Sequence, residues 1–158
     1  MKKLFTIALL LLLGSVLVAQ ESQKKRNEEE IKILLVLEKY IIANETQNLQ
    51  LIEEIWATDE PIVAFGTDAG EKILGWEDLR NAYRRQFNSF KDTYISARNQ
   101  TIRINETCTT AWFSQILNYN FLLEGVAKKY EGIRFTGVLV KKDGQWKLVQ
   151  IHLSMPIQ

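Results

Sequence analysis

The chain has 158 residues, with 20 basic and 19 acidic side chains. A balance this close to neutral excludes the strong positive field by which proteins attract nucleic acid or anionic membranes. An apolar share of 46% fits one globular domain around one core and excludes a disordered chain.

The N-terminus has three parts. Lys2 and Lys3 form a basic start, an apolar run extends from Leu4 through Val18, and the small Ala19 precedes a polar stretch. This pattern predicts a secretory signal peptide over residues 1–19, cleaved after Ala19. The run is shorter than the roughly 20 apolar residues of a spanning helix. The mature chain is therefore expected to be exported, to the periplasm or beyond the cell, and free of the membrane. Removing Lys2 and Lys3 leaves 18 basic against 19 acidic side chains. Cys108 is the only cysteine, so no internal disulfide can form. It is expected to be a small buried apolar side chain.

Residues 20–27 are polar and read as a flexible lead, with the domain occupying 28–158. Asn27 is placed to cap a first helix, with Glu30 at the capping-box position. Ile31, Leu34, Leu35, Tyr40, Ile41 and Ile42 give that helix a broad apolar face. Asn48 caps a second, shorter helix carrying Leu49, Ile52, Ile55 and Trp56, and Pro61 prevents its continuation. Ile62 to Phe65 reads as a short strand, and Gly66 to Gly70 as a loop. Gly75 opens a third helix, with Glu77 and Asp78 in its first turn. Its apolar face holds Trp76, Leu79, Tyr83, Phe87 and Phe90. Arg80, Arg84 and Arg85 lie off that face, as a solvated surface.

Strand patterns follow: Tyr94 to Ile104, then Cys108 to Phe121, then Ile133 to Lys141 after a bend at Gly125 and Gly132. Lys142-Asp143-Gly144 signals a hairpin, and Gln145 to Ser154 is the last strand. Three helices with a short strand among them, then a meander of long strands, predict an α+β fold. Its helices pack on one face of a curved antiparallel sheet.

Two stretches resemble the NTF2-like superfamily and, within it, the SnoaL-like domains. The first is Phe65-Gly66-Thr67-Asp68 with Glu71, Gly75, Leu79 and Arg80. The second is Arg134-Phe135-Thr136-Gly137-Val138, Gly144-Gln145-Trp146 and the ending His152-Leu153-Ser154-Met155-Pro156. A His-x-Ser-x-Pro ending after a Gly-x-Trp hairpin is similar to one SnoaL-like branch. The resemblance covers about Glu28 to Pro156. It implies a cone in which three helices and the curved sheet enclose a pocket, and dimers that meet through the sheet. It implies little about chemistry, because isomerases, cyclases, dehydratases, carriers and assembly domains share this fold.

A three-residue loop at Lys142-Asp143-Gly144 places Arg134 opposite His152, Thr136 opposite Gln150 and Val138 opposite Leu148; a two-residue loop shifts the pairing by one. One face then carries Arg134, Thr136, Val138, Trp146, Gln150 and His152. The other carries Phe135, Leu139, Val149, Ile151 and Leu153. The polar set is expected on the concave side, and the apolar set outside, covered by a second subunit of a homodimer.

His152, the only histidine, is either an acid–base group inside the cone or a hydrogen-bonded residue that orders the strand end beside Ser154. Arg134 either holds a ligand carboxylate or pairs with an internal acid. Trp112, Trp56, Tyr83 and Phe87 are wall or core. With Thr136, Gln150 and Ser154 they complete the candidate binding set. By comparison with ketosteroid isomerases, Tyr40 falls near the tyrosine that stabilises an oxyanion, and Phe65 falls where their general-base aspartate stands. A phenyl ring cannot take a proton. No metal site, phosphate loop or cofactor motif is present in the pattern. Two functions stay open. One is a non-catalytic cone that binds a small, partly apolar molecule or is simply filled. The other is a cofactor-free lyase or isomerase using His152 with Tyr40 or Arg134.

Overall fold

Helix α1 (Lys2–Glu45) runs without interruption through the stretch expected to be a flexible lead. The computed structural model describes residues 2–156, with side chains over 20–156; the expected signal segment, residues 1–19, lies outside the residues so described. Residues 20–27 contain Gln, Glu, Lys and Arg but no Gly or Pro, so nothing in them stops a helix. Asn27 is thus inside α1 rather than at its cap. Its side chain accepts a hydrogen bond from Gln23 Nε2 at 2.9 Å, one turn earlier. Among residues 20–156, no helix is long and apolar enough to cross a membrane.

The other helices begin where their caps indicate. In α2 (Leu49–Ile55), the Asn48 side chain accepts from the Leu51 amide at 3.0 Å. Helix α3 (Trp76–Ser89) starts after Gly75, whose φ of 79° suits a residue without a Cβ. Between them lie β1 (Val63–Phe65) and β2 (Lys72–Leu74). The second of these strands was not anticipated. It returns against β1 after a loop closed by the Gly66 amide donating to the Glu71 carbonyl at 3.0 Å.

Four long strands follow: β3 (Phe90–Ile104), β4 (Thr110–Leu123), β5 (Val126–Lys142) and β6 (Gln145–Ser154). The six strands form one sheet in the order β2-β1-β6-β5-β4-β3, antiparallel except where β1 runs parallel to β6. Strands β3 and β5 begin earlier than the apolar pattern suggested, because they continue through bulges. Asp92, Asn99 and Gly132 sit at irregularities of the ladder, each with positive φ. An extra residue bends a strand and sharpens its twist, so repeated bulges curl this sheet into the wall of a cone. Cys108 lies in the β3–β4 turn rather than in a strand, and is buried as expected.

The β5–β6 hairpin has a two-residue loop. Asp143 and Gly144 have φ of 49° and 79°, and Lys142 pairs with Gln145. This is the primed turn that matches strand twist. Val149 then forms a bulge, since Val138 pairs with Gln150 while Leu139 pairs with Leu148. Beyond it Thr136 opposes His152 and Arg134 opposes Ser154, so the three-residue register is corrected. The bulge also turns Trp146 and Leu148 to the same side as Phe135, away from Arg134.

The helices cover the apolar side of the sheet. Phe135, Leu139 and Leu148 are fully buried there against Ile33, Leu37 and Ile52. Gly137 is needed on this face. A Cβ there would stand 2.5 Å from the Gln150 carbonyl oxygen and 2.6 Å from the Phe113 ring. At the hairpin end, buried Glu29 of α1 accepts from Trp146 Nε1, Lys141 Nζ and Lys32 Nζ, each at 2.7 Å.

Candidate functional site

The two faces of the sheet are the reverse of the sequence expectation. Phe135, Leu139, Ile151 and Leu153 face the helices. The helices' own apolar stripes need an apolar partner, and this is the only side of β5 and β6 that offers one. Arg134, Thr136, Gln150, His152 and Trp112 are on the outer face, with Arg134, His152 and Trp112 exposed. The apolar strip expected to meet a second subunit is therefore covered by helices of the same chain.

The candidate residues accordingly separate. Tyr40 and Tyr83 line a cavity inside the cone. Trp56 and Phe87 are core, 2% and 7% exposed. His152 lies across β6 from the cavity and packs edge-on to Phe65, ring centres 5.6 Å apart. It shares no face with Tyr40. Arg134 donates through Nη2 to the Met155 carbonyl at 3.2 Å, ordering the strand end. Ser154 sits opposite Arg134 in the register.

The cavity has a volume of about 340 Å³ and is open to solvent. Its walls are apolar: Ile73, Leu79, Ile133, Ile151 and Leu153, with Phe90 stacked on Phe121 at 3.9 Å. Its deep end is polar. Tyr40, Tyr83 and Tyr119 converge there from α1, α3 and β4. Burial pushes all three phenols up in pKa, Tyr83 and Tyr119 well above the usual value. For Tyr40, the neighbouring hydroxyls of Tyr119 and Tyr83 offset part of that rise, and the Glu71 carboxylate adds to it. The Trp56 indole N–H is buried without a partner in hydrogen-bonding geometry, on the Tyr83 side of the cluster.

Three protonated phenols make the deep end a donor site. When the Tyr83 and Tyr119 hydroxyls donate to Tyr40, the Tyr40 proton is left to point elsewhere. The mouth holds Asp68, Glu71, Gln86 and Arg85. The spacing sets Arg85 off the apolar face of α3, yet it stands one helical turn or less from Tyr83 and Gln86, so α3 brings it to the rim. Gln86 is anchored by donating to Asn44 Oδ1 at 2.9 Å. Tyr119 and Glu71 were missed as site residues. Tyr119 shares the inward alternation of Phe113, Leu117 and Phe121 along β4, a period-two signal that places it on the covered face. Among the described residues, no three His, Cys, Asp or Glu side chains gather as a metal site.

The sequence profile of the SnoaL-like domain matches residues 33–158. Among curated proteins, none is a significant sequence match. Several solved structures share the fold. An NTF2-like superfamily protein from Salmonella enterica serovar Typhimurium superposes with a TM-score of 0.75 at 14% identity, over 84% of this chain and 94% of that one. A proposed dehydratase of the NTF2-like family from Streptomyces avermitilis gives 0.74 at 12% identity, over 84% and 99%. A proposed scytalone dehydratase from Novosphingobium aromaticivorans gives 0.73 at 16% identity, over 84% and 87%. At these identities the likeness is one of fold. The match over residues 33–158, with three helices closing a curled six-stranded sheet into a cone, makes this chain a member of the SnoaL-like domain family.

Proposed function

We propose that the chain is an exported binding protein whose cone holds a small, partly apolar molecule with an oxygen acceptor directed at Tyr40. The observation that carries this reading is the cluster of Tyr40, Tyr83 and Tyr119 at the end of an open, apolar-walled cavity of about 340 Å³. Such a pocket takes an aromatic or alicyclic body by burial and orients it by one carbonyl, phenolic or carboxylate oxygen. The signal-like segment over residues 1–19 supports action outside the cytoplasm.

Acetophenone is a suitable probe, with a ring for the walls and a carbonyl for the donor. Titration calorimetry is expected to show binding that weakens about tenfold in Tyr40→Phe, the loss of one hydrogen bond of about 1.4 kcal/mol. Equal affinities for the two proteins would remove Tyr40 from the site.

A second reading is favoured by one observation. Glu71 lines the same cavity and acts electrostatically on Tyr40. A carboxylate at the mouth and a phenol at the deep end of one cavity supply the base and the donor needed to remove a proton next to a carbonyl. This version of a cofactor-free lyase or isomerase uses neither His152 nor Arg134, which lie on the other face. If it holds, the protein speeds deuterium exchange into the methyl group of bound acetophenone, followed by NMR, and Glu71→Gln abolishes the effect. No acceleration by the unaltered protein leaves binding alone.

A further inference from the structure

A chain of buried hydrogen bonds fixes the direction of one amide at the cavity mouth. Asn44 stands one turn beyond Tyr40 on α1 and is 1% exposed. Its Nδ2 donates to the Tyr40 carbonyl at 2.8 Å. A carbonyl oxygen only accepts, so the amide end of Asn44 that meets it is the NH2 group. Asn44 Oδ1 therefore faces the other way, and Gln86 meets it with Nε2 at 2.9 Å. The Gln86 amide is thereby held with its carbonyl oxygen, Oε1, turned away from Asn44. Gln86 is half-buried and lines the cavity. No donor among the described residues bonds to Oε1, and Oε1 is not sealed in the core. An amide that turns freely offers a ligand either end; this one is set to offer its acceptor.

The cavity then meets a ligand at two polar points. Tyr40 gives a proton at the deep end, and Gln86 takes one at the mouth. Tyr40 and Asn44 are separated by about 6 Å along the axis of α1, and Gln86 hangs on Asn44. Apolar walls lie between the two points, with Phe90 stacked on Phe121. The charges at the mouth decide which donor fits. Arg85 repels an ammonium group, while Asp68 and Glu71 repel a carboxylate. A neutral hydroxyl meets no like charge. We propose, resting on the binding role given to the cone, that Gln86 is a specificity-determining residue: it selects carbonyl compounds that carry a hydroxyl at the end opposite the carbonyl. Asn44 acts behind it as a positioning residue.

Titration calorimetry on the unaltered protein compares acetophenone, its 3-hydroxy and 4-hydroxy derivatives and their methoxy ethers. One hydroxy derivative is expected to bind about fivefold more tightly than acetophenone, and its ether to gain nothing. The ratio between the two ligands is the readout, because a general change in the shape of the cavity moves both affinities together. In Gln86→Met the ratio is expected to fall to about one. Should that variant misfold by leaving Asn44 Oδ1 unpaired, Gln86→Lys returns a donor to Asn44 while bringing no acceptor, and the ratio should again fall to about one. A ratio unchanged in both variants overturns the role of Gln86. So does an ether that gains as much as the hydroxy derivative, since added bulk then accounts for the gain. So does a failure of either hydroxyl to add affinity while acetophenone binds and Tyr40→Phe weakens it; in that case the binding role of the cone stands and only the Gln86 assignment falls. If neither acetophenone nor its hydroxy derivatives bind, the binding role falls first and takes the assignment with it.

Discussion

Glu29→Gln is expected to lower stability by about 3 kcal/mol at pH 7 and to change it little at pH 2. Burial alone would raise the Glu29 pKa, but hydrogen bonds from Lys141, Lys32 and Trp146 outweigh it and hold the carboxyl at about 2, against 4.5 when unperturbed. A carboxylate with a depressed folded pKa stabilises the fold in full above its unfolded pKa. That contribution fades as pH falls from about 4.5 to about 2. The difference between the two values corresponds to about 3 kcal/mol. Glutamine keeps an acceptor for the Trp146 indole but leaves the ammonium of Lys141, only 21% exposed, without its counter-charge. Urea unfolding of both proteins at pH 7 and pH 2 measures the gap. A gap that stays constant with pH would mean that shape, not charge, joins α1 to the β5–β6 hairpin.

The elements that could be read from sequence are those decided locally. Asn48 and Gly75 set the starts of α2 and α3 through their own side chain or its absence. Asp143-Gly144 marks the last hairpin in the same way. The extension of α1 across residues 20–27 was also local, yet polarity was mistaken for a loop signal where helix propensity was the better guide. What could not be read depends on partners far along the chain. Strand β2 has three residues and exists only because β1 lies beside it. Bulges at Asp92, Asn99 and Gly132 cost nothing visible in the apolar pattern, but each shifts every later pairing.

For the site, the step that local pattern leaves undecided is the assignment of faces. Alternation along β5 correctly separated Arg134, Thr136 and Val138 from Phe135 and Leu139. It did not say which set looked inward. A ligand's need for polar partners argues for the polar set in the pocket. The physical order is the opposite: the apolar stripes of α1 and α3 must be covered first, and they take the apolar face of the sheet. The polar partners of a ligand then come from the few hydroxyls that project through that face. Tyr40 follows from the resemblance and Tyr83 from helical spacing, whereas Tyr119 follows from the alternation it shares with Phe113, Leu117 and Phe121 along β4. His152 and Arg134 were drawn to the site by their motif. They lie on the outer face at the strand end, where His152 packs on Phe65 and Arg134 holds the Met155 carbonyl.

Phe135→Ala is expected to be the most damaging single substitution of a ring in this protein, at about 3 to 5 kcal/mol. Phe135 is fully buried at the centre of β5. Its ring stacks on Tyr40 with centres 4.7 Å apart and meets the edge of Phe113 at 4.9 Å. Truncation removes the transfer energy of a phenyl group and leaves a void that β-sheet neighbours cannot close, since the sheet there is packed so tightly that even a Cβ at Gly137 would collide with Phe113 and the Gln150 carbonyl. The same stack ties core to site. Phe135 does not line the cavity, yet it is the surface against which Tyr40 is held. Urea denaturation measures the stability loss, and Phe135→Leu offers a milder variant that stays folded for ligand work. Acetophenone should bind Phe135→Leu more weakly than the unaltered protein although no cavity-lining atom has changed. If Phe135→Leu binds equally well, the Tyr40 hydroxyl is held by Tyr83 and Tyr119 alone, and the aromatic stack serves only the core.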